Sequence, residues 1–140
     1  FSVVLFPHRW LFENQEEWHT GNGIGFGSDI EDAKGIDQPP VTAGAFFAAK
    51  LGVAEYLLEK KCQASALVLR EIRPEYAVPV GVWQIREAIR SAMKNEPYIA
   101  ENFDDGVTFA AKRMSVSKSE WLSKGDMLNM LKQKSISDFF

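Results

Sequence analysis

Val41-Thr-Ala-Gly-Ala-Phe-Phe-Ala-Ala-Lys50-Leu-Gly-Val-Ala-Glu-Tyr-Leu-Leu-Glu-Lys60-Lys61, then Ala64-Ser-Ala-Leu-Val-Leu-Arg70-Glu-Ile72, is the stretch that decides the fold class. In its first part Ala43, Phe47, Leu51, Ala54 and Leu58 recur at spacings of four, four, three and four. That spacing predicts one stripe of a helix ending near Lys60-Lys61, where two cations suit the negative end of the helix dipole. The second part is short, apolar and rich in branched residues, and Arg73-Pro74 stops it, so it predicts a buried strand. A helix that must pack on a strand makes the chain mixed α and β.

Upstream, Ser2 to Phe6 is β-branched and apolar, is bounded by Pro7, and predicts another buried strand. His8 to Gln38 shows no sustained period, carries Gly21-Asn-Gly-Ile-Gly-Phe-Gly27 and ends at Pro39-Pro40, so it reads as mostly loop. The implied order is strand, long loop, helix, strand, which leaves the direction of strand pairing open. The glycine run is neither a Walker loop nor a dinucleotide fingerprint. His8 and His19 in the same stretch receive no role.

Downstream, Gly81 to Met93 predicts a helix with Val82, Ile85, Ile89 and Ala92 on one face and Arg86 and Arg90 one turn apart on another. A third helix is expected over Glu101 to Met114. A fourth is expected over Ser117 to Leu131, where Ser117 and Glu120 have capping-box spacing and Gly125 loosens the run. The expected fold is α+β or α/β: a small mixed sheet covered by about four helices, with a flexible C-terminal tail.

A length of 140 residues is that of one ordinary domain, here expected over residues 1–132 with a tail at 133–140. The start at Phe1, inside a hydrophobic run, points to a fragment of a longer polypeptide. A net charge of −3 excludes a surface that is basic all over, so any DNA contact is local or made through a partner. No apolar run reaches the ~18 residues of a membrane span, since Lys50 and Glu55 break Val41 to Leu58. Cys62 alone makes no disulfide, and with His8 and His19 it makes no structural zinc site in this chain, which fits a cytoplasmic protein.

Gln133-Lys-Ser-Ile136-Ser-Asp-Phe139-Phe140 places apolar groups at i, i+3 and i+4, so one helical turn would gather Ile136, Phe139 and Phe140 on one side, with Gln133 a turn earlier. The alternative is an apolar tail folded back on the core. Chance occurrence of this pattern is on the order of one in tens of thousands, given average residue frequencies. Gln-x-x-Ile-x-x-Phe-Phe resembles the PCNA-interacting peptide, or PIP box, of archaeal and eukaryotic replication and repair proteins. The resemblance implies the sliding clamp as partner, with Ile136, Phe139 and Phe140 in its hydrophobic pocket and Gln133 in a small polar one, an anchoring by aromatic hot spots.

Between strand and helix, Leu69 to Glu87 is the densest polar stretch beside expected core. Arg70, Arg73, Arg86 and Arg90 could converge on phosphate, while Glu71, Glu75 and Glu87 hold the arginines, bind a divalent metal or move protons. The alternative is an internal salt-bridge network with Trp83 as core, and spacing alone favours it.

The run 43–57, Gln63 to Ile72, Pro74-Glu75-Tyr76 and Gly81-Val-Trp-Gln-Ile-Arg-Glu87 resemble the C-terminal region of the archaeal Nre DNA repair proteins, which also end in a PIP box. That resemblance implies DNA repair, with the clamp, DNA and an N-terminal region of the same protein as partners, and shifts the weight toward a site. Two functions stay open. One is a metal-dependent nuclease or nucleotide-processing enzyme; the other is a non-catalytic clamp-bound adaptor that recruits other repair factors.

Overall fold

A computed structural model describes residues 1–76 and 81–132; the tail residues Gln133, Ile136, Phe139 and Phe140 lie outside them. Four strands, β1 (Ser2–Phe6), β2 (Leu11–Thr20), β3 (Gly23–Asp32) and β4 (Ser65–Ile72), form one sheet in the order β1-β4-β2-β3. β4 pairs antiparallel with β1 and parallel with β2, and β2 pairs antiparallel with β3. The sheet is therefore mixed, as expected. Among the described residues there are five helices: α1 (Gly44–Lys60), α2 (Val82–Ala92), α3 (Phe103–Ala111), α4 (Lys118–Lys124) and α5 (Met127–Lys132).

The helices cover both faces. On one, α1 and α2 bury Phe46, Ala49, Val53, Ile85 and Ile89 against Phe12, Ala66 and Val68. On the other, α3, α4 and α5 bury Val107, Trp121 and Met127 against Val4, Leu11, Leu67 and Leu69. The alternation of β4 explains the split, since successive side chains of a strand point to opposite faces and both faces are dry. None of the described helices is long and apolar enough to cross a membrane.

The stretch expected to be mostly loop is instead the longest hairpin of the molecule: β2 and β3 are ten residues each and pair along their whole length from Leu11↔Asp32 to Thr20↔Gly23. Gly21-Asn22 supplies the tight two-residue turn, and Thr20 Oγ1 donates to Gly23 O across it at 2.9 Å. The glycine run is the turn and the first half of β3. A Cβ on Gly25 would lie 2.1 Å from Trp18 Nε1, so the missing side chain is what lets the indole lie across the neighbouring strand.

Two helix readings also change. The stripe Phe47, Leu51, Leu58 of α1 is 50%, 43% and 79% exposed, and the helix buries Ala45, Phe46, Ala48, Ala49, Gly52, Val53 and Leu57 instead. α1 is apolar nearly all round, so periodicity could not choose a face. The small residues choose it, because they let the helix lie close to its neighbours: a Cβ on Gly52 would stand 2.8 Å from Ile89 Cγ2. Gly52→Val is accordingly expected to cost about 1–3 kcal/mol through overpacking, seen as a lower urea midpoint at unchanged slope.

The single helix expected over Ser117 to Leu131 is broken at Gly125, which is extended at φ −99, ψ 159. A Cβ there would lie 1.9 Å from Gln15 Nε2, and just beyond it the backbone N–H groups of Asp126 and Met127 donate to Glu13 at 2.7 and 3.1 Å. The chain opens so that α5 can seat its N-terminus on a buried carboxylate.

Candidate functional site

β2 holds five consecutive polar residues, Glu13, Asn14, Gln15, Glu16 and Glu17, and all five are buried. A strand between two partners takes such residues only if each is answered from elsewhere in the fold. Glu13 accepts from Ser28 and from the start of α5. Asn14 donates to Thr42 at 3.1 Å, and Glu16 accepts from Arg70 at 2.9 Å. Asp29, beside Asn14 on β3, accepts from Val41 N, Thr42 N and Thr42 Oγ1 at 2.6, 2.6 and 2.5 Å. This carboxylate anchors the turn that leads into α1, where Ala43 at the helix start has no capping side chain and sits at φ 47, ψ −123.

Asn14 Oδ1 and Gln15 Oε1 are buried without a partner, and Glu17 goes further. Its side chain is wholly buried, and neither carboxylate oxygen has a hydrogen-bond partner. It lies at the carboxyl ends of the parallel strands, in register with Glu71 of β4, and such ends are where open α/β sheets place their sites. Burial above all, then Glu120 and Glu71, pushes its pKa up, while Lys124 and His19 oppose the shift. Glu71 goes the other way. Burial works against its charge, yet hydrogen bonds from Ser115 Oγ, Arg73 Nε and Ser115 N outweigh it and hold the carboxyl below its usual range. Two adjacent carboxyls with opposite shifts are the arrangement that separates an acid from a base.

His19 Nε2 stands 3.4 Å from Ser115 Oγ and 3.9 Å from Glu71 Oε1. Serine, histidine and glutamate are close, but the geometry is not that of a nucleophilic triad, in which the carboxylate orients the imidazole through its other nitrogen. Among the described residues no three His, Cys, Asp or Glu side chains are grouped so as to hold a metal ion.

The arginines and glutamates expected to form a site fall in two places. Arg70, Glu71, Arg73 and Glu75 line one open groove of about 560 Å³, together with Tyr76 and Gln84. Arg70 is spent on Glu16, and Arg73 on Glu71 and the Arg113 carbonyl. Arg90 and Glu87 lie on α2, where Arg90 grips Glu55 through two hydrogen bonds of 2.7 and 2.6 Å and Glu87 through one of 2.6 Å. The Glu55 carboxylate drives the Arg90 pKa upward, and Arg90 lowers that of Glu55 in return. Arg86 is only 3.9 Å from Glu87, and its buried Nε lacks a partner. Trp83 is exposed rather than core. The acidic run of β2 carries no strand signal of its own, and the Gly21-Asn22 turn is the local signal for its hairpin.

The raised Glu17 makes a pH prediction. An acid whose pKa is higher folded than unfolded stabilises most below its ordinary value near 4.5, and that contribution is lost as pH rises through the folded value. Glu17→Gln is expected to gain about 1–2 kcal/mol at pH 8 by removing an unpaired buried charge, and nothing near pH 4. Thermal unfolding across that range reads it; an equal effect at both ends would refute the assignment.

The family model described as "Archaeal Nre, C-terminal" matches residues 31–139. DNA repair protein NreA of Archaeoglobus fulgidus is 38% identical over 148 residues, an alignment covering 100% of this chain and 35% of the relative. NreA of Haloferax volcanii is 40% identical over 148 residues, covering 99% and 35%. DNA repair protein NreB of Archaeoglobus fulgidus is 29% identical over 145 residues, covering 99% and 37%. The chain thus spans about a third of the length of these relatives. No solved structure matches it.

Proposed function

Because the chain belongs to the archaeal Nre family, in its C-terminal region, we propose that it works in DNA repair, brought to DNA by a sliding clamp that holds residues Gln133 to Phe140. The relatives' names support the repair role. The observation that carries the clamp is the tail, in which Gln133, Ile136, Phe139 and Phe140 fill every defining position of a clamp-binding peptide. A net charge of −3 leaves DNA contact to a local cluster or to a partner, and the clamp is the partner that supplies it. A preceding N-terminal region belongs to the same working protein.

For the folded body, the adaptor reading is the better supported. Three of the four arginines offered for phosphate, Arg70, Arg73 and Arg90, hydrogen-bond to carboxylates of the domain itself. A guanidinium held in this way must break a charge-assisted pair before it can grip phosphate. The second reading, a DNA-processing enzyme, rests on Glu17 and Glu71 with their opposed proton affinities. The fourth arginine, Arg86, lies on α2 with its Nε 3.9 Å from Glu87.

Calorimetry of the full-length protein against the clamp, with and without residues 133–140, tests the tether: loss of heat on deletion is expected, and unchanged binding overturns it. For the body, the full-length protein is incubated with damaged and single-stranded DNA plus Mg²⁺ or Mn²⁺, alongside Glu71→Ala and Arg86→Ala. Turnover abolished by either substitution would replace the adaptor reading with the enzyme.

A further inference from the structure

The outer face of α1 carries Phe47, Leu51 and Leu58 in one line, each more than two-fifths exposed. It continues onto the first turn of α2. Gly44 lies against Val82, its missing Cβ 2.6 Å from Val82 Cγ1, and Gly52 lies against Ile89, so the two helices run side by side in one direction. Val82 and Trp83 are 50% and 64% exposed. Val41, just before α1, is exposed as well. Five large apolar side chains on two packed helices, with Val41 beside them, are more than scattered surface apolarity, and such patches mark interfaces.

We propose that this face docks the N-terminal region of the same polypeptide. The relatives place about two thirds of their length outside the part this chain matches, and the matched part is the family's C-terminal region. A region of that size, tethered to the domain by the chain itself, meets the face at a high effective concentration, so even modest complementarity keeps it covered. DNA is a poor occupant, because the stripe presents aliphatic and aromatic groups, and the nearby Arg90 is committed to Glu55 and Glu87. The inference rests on family membership and not on the clamp tether, so either can fail without the other.

The test uses the full-length protein, with a photoreactive phenylalanine analogue in place of Leu51 and, separately, of Trp83. After illumination, a crosslink mapping to the N-terminal region within a species of monomer mass is the expected result. A crosslink at dimer mass, one that forms only when clamp or DNA is added, or none at either position overturns the proposal. As a second measure, Leu51→Asp with Leu58→Asp in the full-length protein is expected to speed proteolysis between the two regions at least tenfold and leave calorimetric clamp binding unchanged. Equal proteolysis of variant and parent also overturns it.

Discussion

Asp29→Ala should remove about 3–4 kcal/mol of stability, because the donors it answers at the entry to α1 are left without an acceptor. Three donors converge on this one carboxylate, the N–H groups of Val41 and Thr42 and the Thr42 hydroxyl. Asp29 and Thr42 are both buried, so water cannot take the carboxylate's place. The same contacts hold the turn into α1, where Ala43 sits at φ 47, a conformation a side chain adopts only under constraint. Against a total of roughly 5–15 kcal/mol for a domain this size, the loss is a large fraction. Chemical denaturation reads it directly. Asp29→Asn keeps an acceptor and should lose less than half as much; a loss below about 1 kcal/mol for Asp29→Ala would mean these hydrogen bonds do not hold the entry to α1.

Phe139→Ala combined with Phe140→Ala is expected to weaken clamp binding at least 100-fold. Aromatic anchors in desolvated pockets are each worth roughly 2 kcal/mol or more, and about 2.7 kcal/mol already corresponds to that factor. Lys134 occupies an undemanding position of the motif, so Lys134→Ala should change affinity by less than about threefold, within what a rim charge contributes. The double substitution should leave the unfolding midpoint of the folded body unchanged. A drop in affinity of under tenfold would remove the tail from the centre of the interaction.

The parts of the fold that were legible are those whose residues carry their own signal. Ser2–Phe6 and Ser65–Ile72 are apolar on both faces, as buried strands are, and the amphipathic period of Val82–Ala92 and the capping serine at Ser117 place helices where they stand. The hairpin was not legible for the opposite reason. Leu11–Thr20 carries Glu13, Asn14, Gln15, Glu16 and Glu17, and nothing in that run announces that Ser28, Thr42, Arg70, Asp126 and Met127 will answer three of them. Sequence rules look for apolar alternation, and this strand replaces it with polar contacts made across long separations.

The candidate site divides in the same way. Arg70, Glu71, Arg73, Glu75, Glu87 and Arg90 were visible as a dense polar block, but whether such groups face a ligand or one another depends on neighbours such as Glu16, Glu55 and Ser115, which lie dozens of residues away. Glu17, a buried carboxylate left unanswered among the described residues, lies in a segment whose sequence reads as loop.

By itself, the sequence determined the family and the mixed α and β class, because each is written in local spacing that needs no partner to be read. Only the tertiary structure decided that β2 is a central strand of buried polar residues, that α1 turns its small residues inward and leaves Phe47, Leu51 and Leu58 outside, and that the arginines spend their charge within the domain. Those outcomes turn on which groups meet across the fold, and burial multiplies the energy of every polar contact made or missed there.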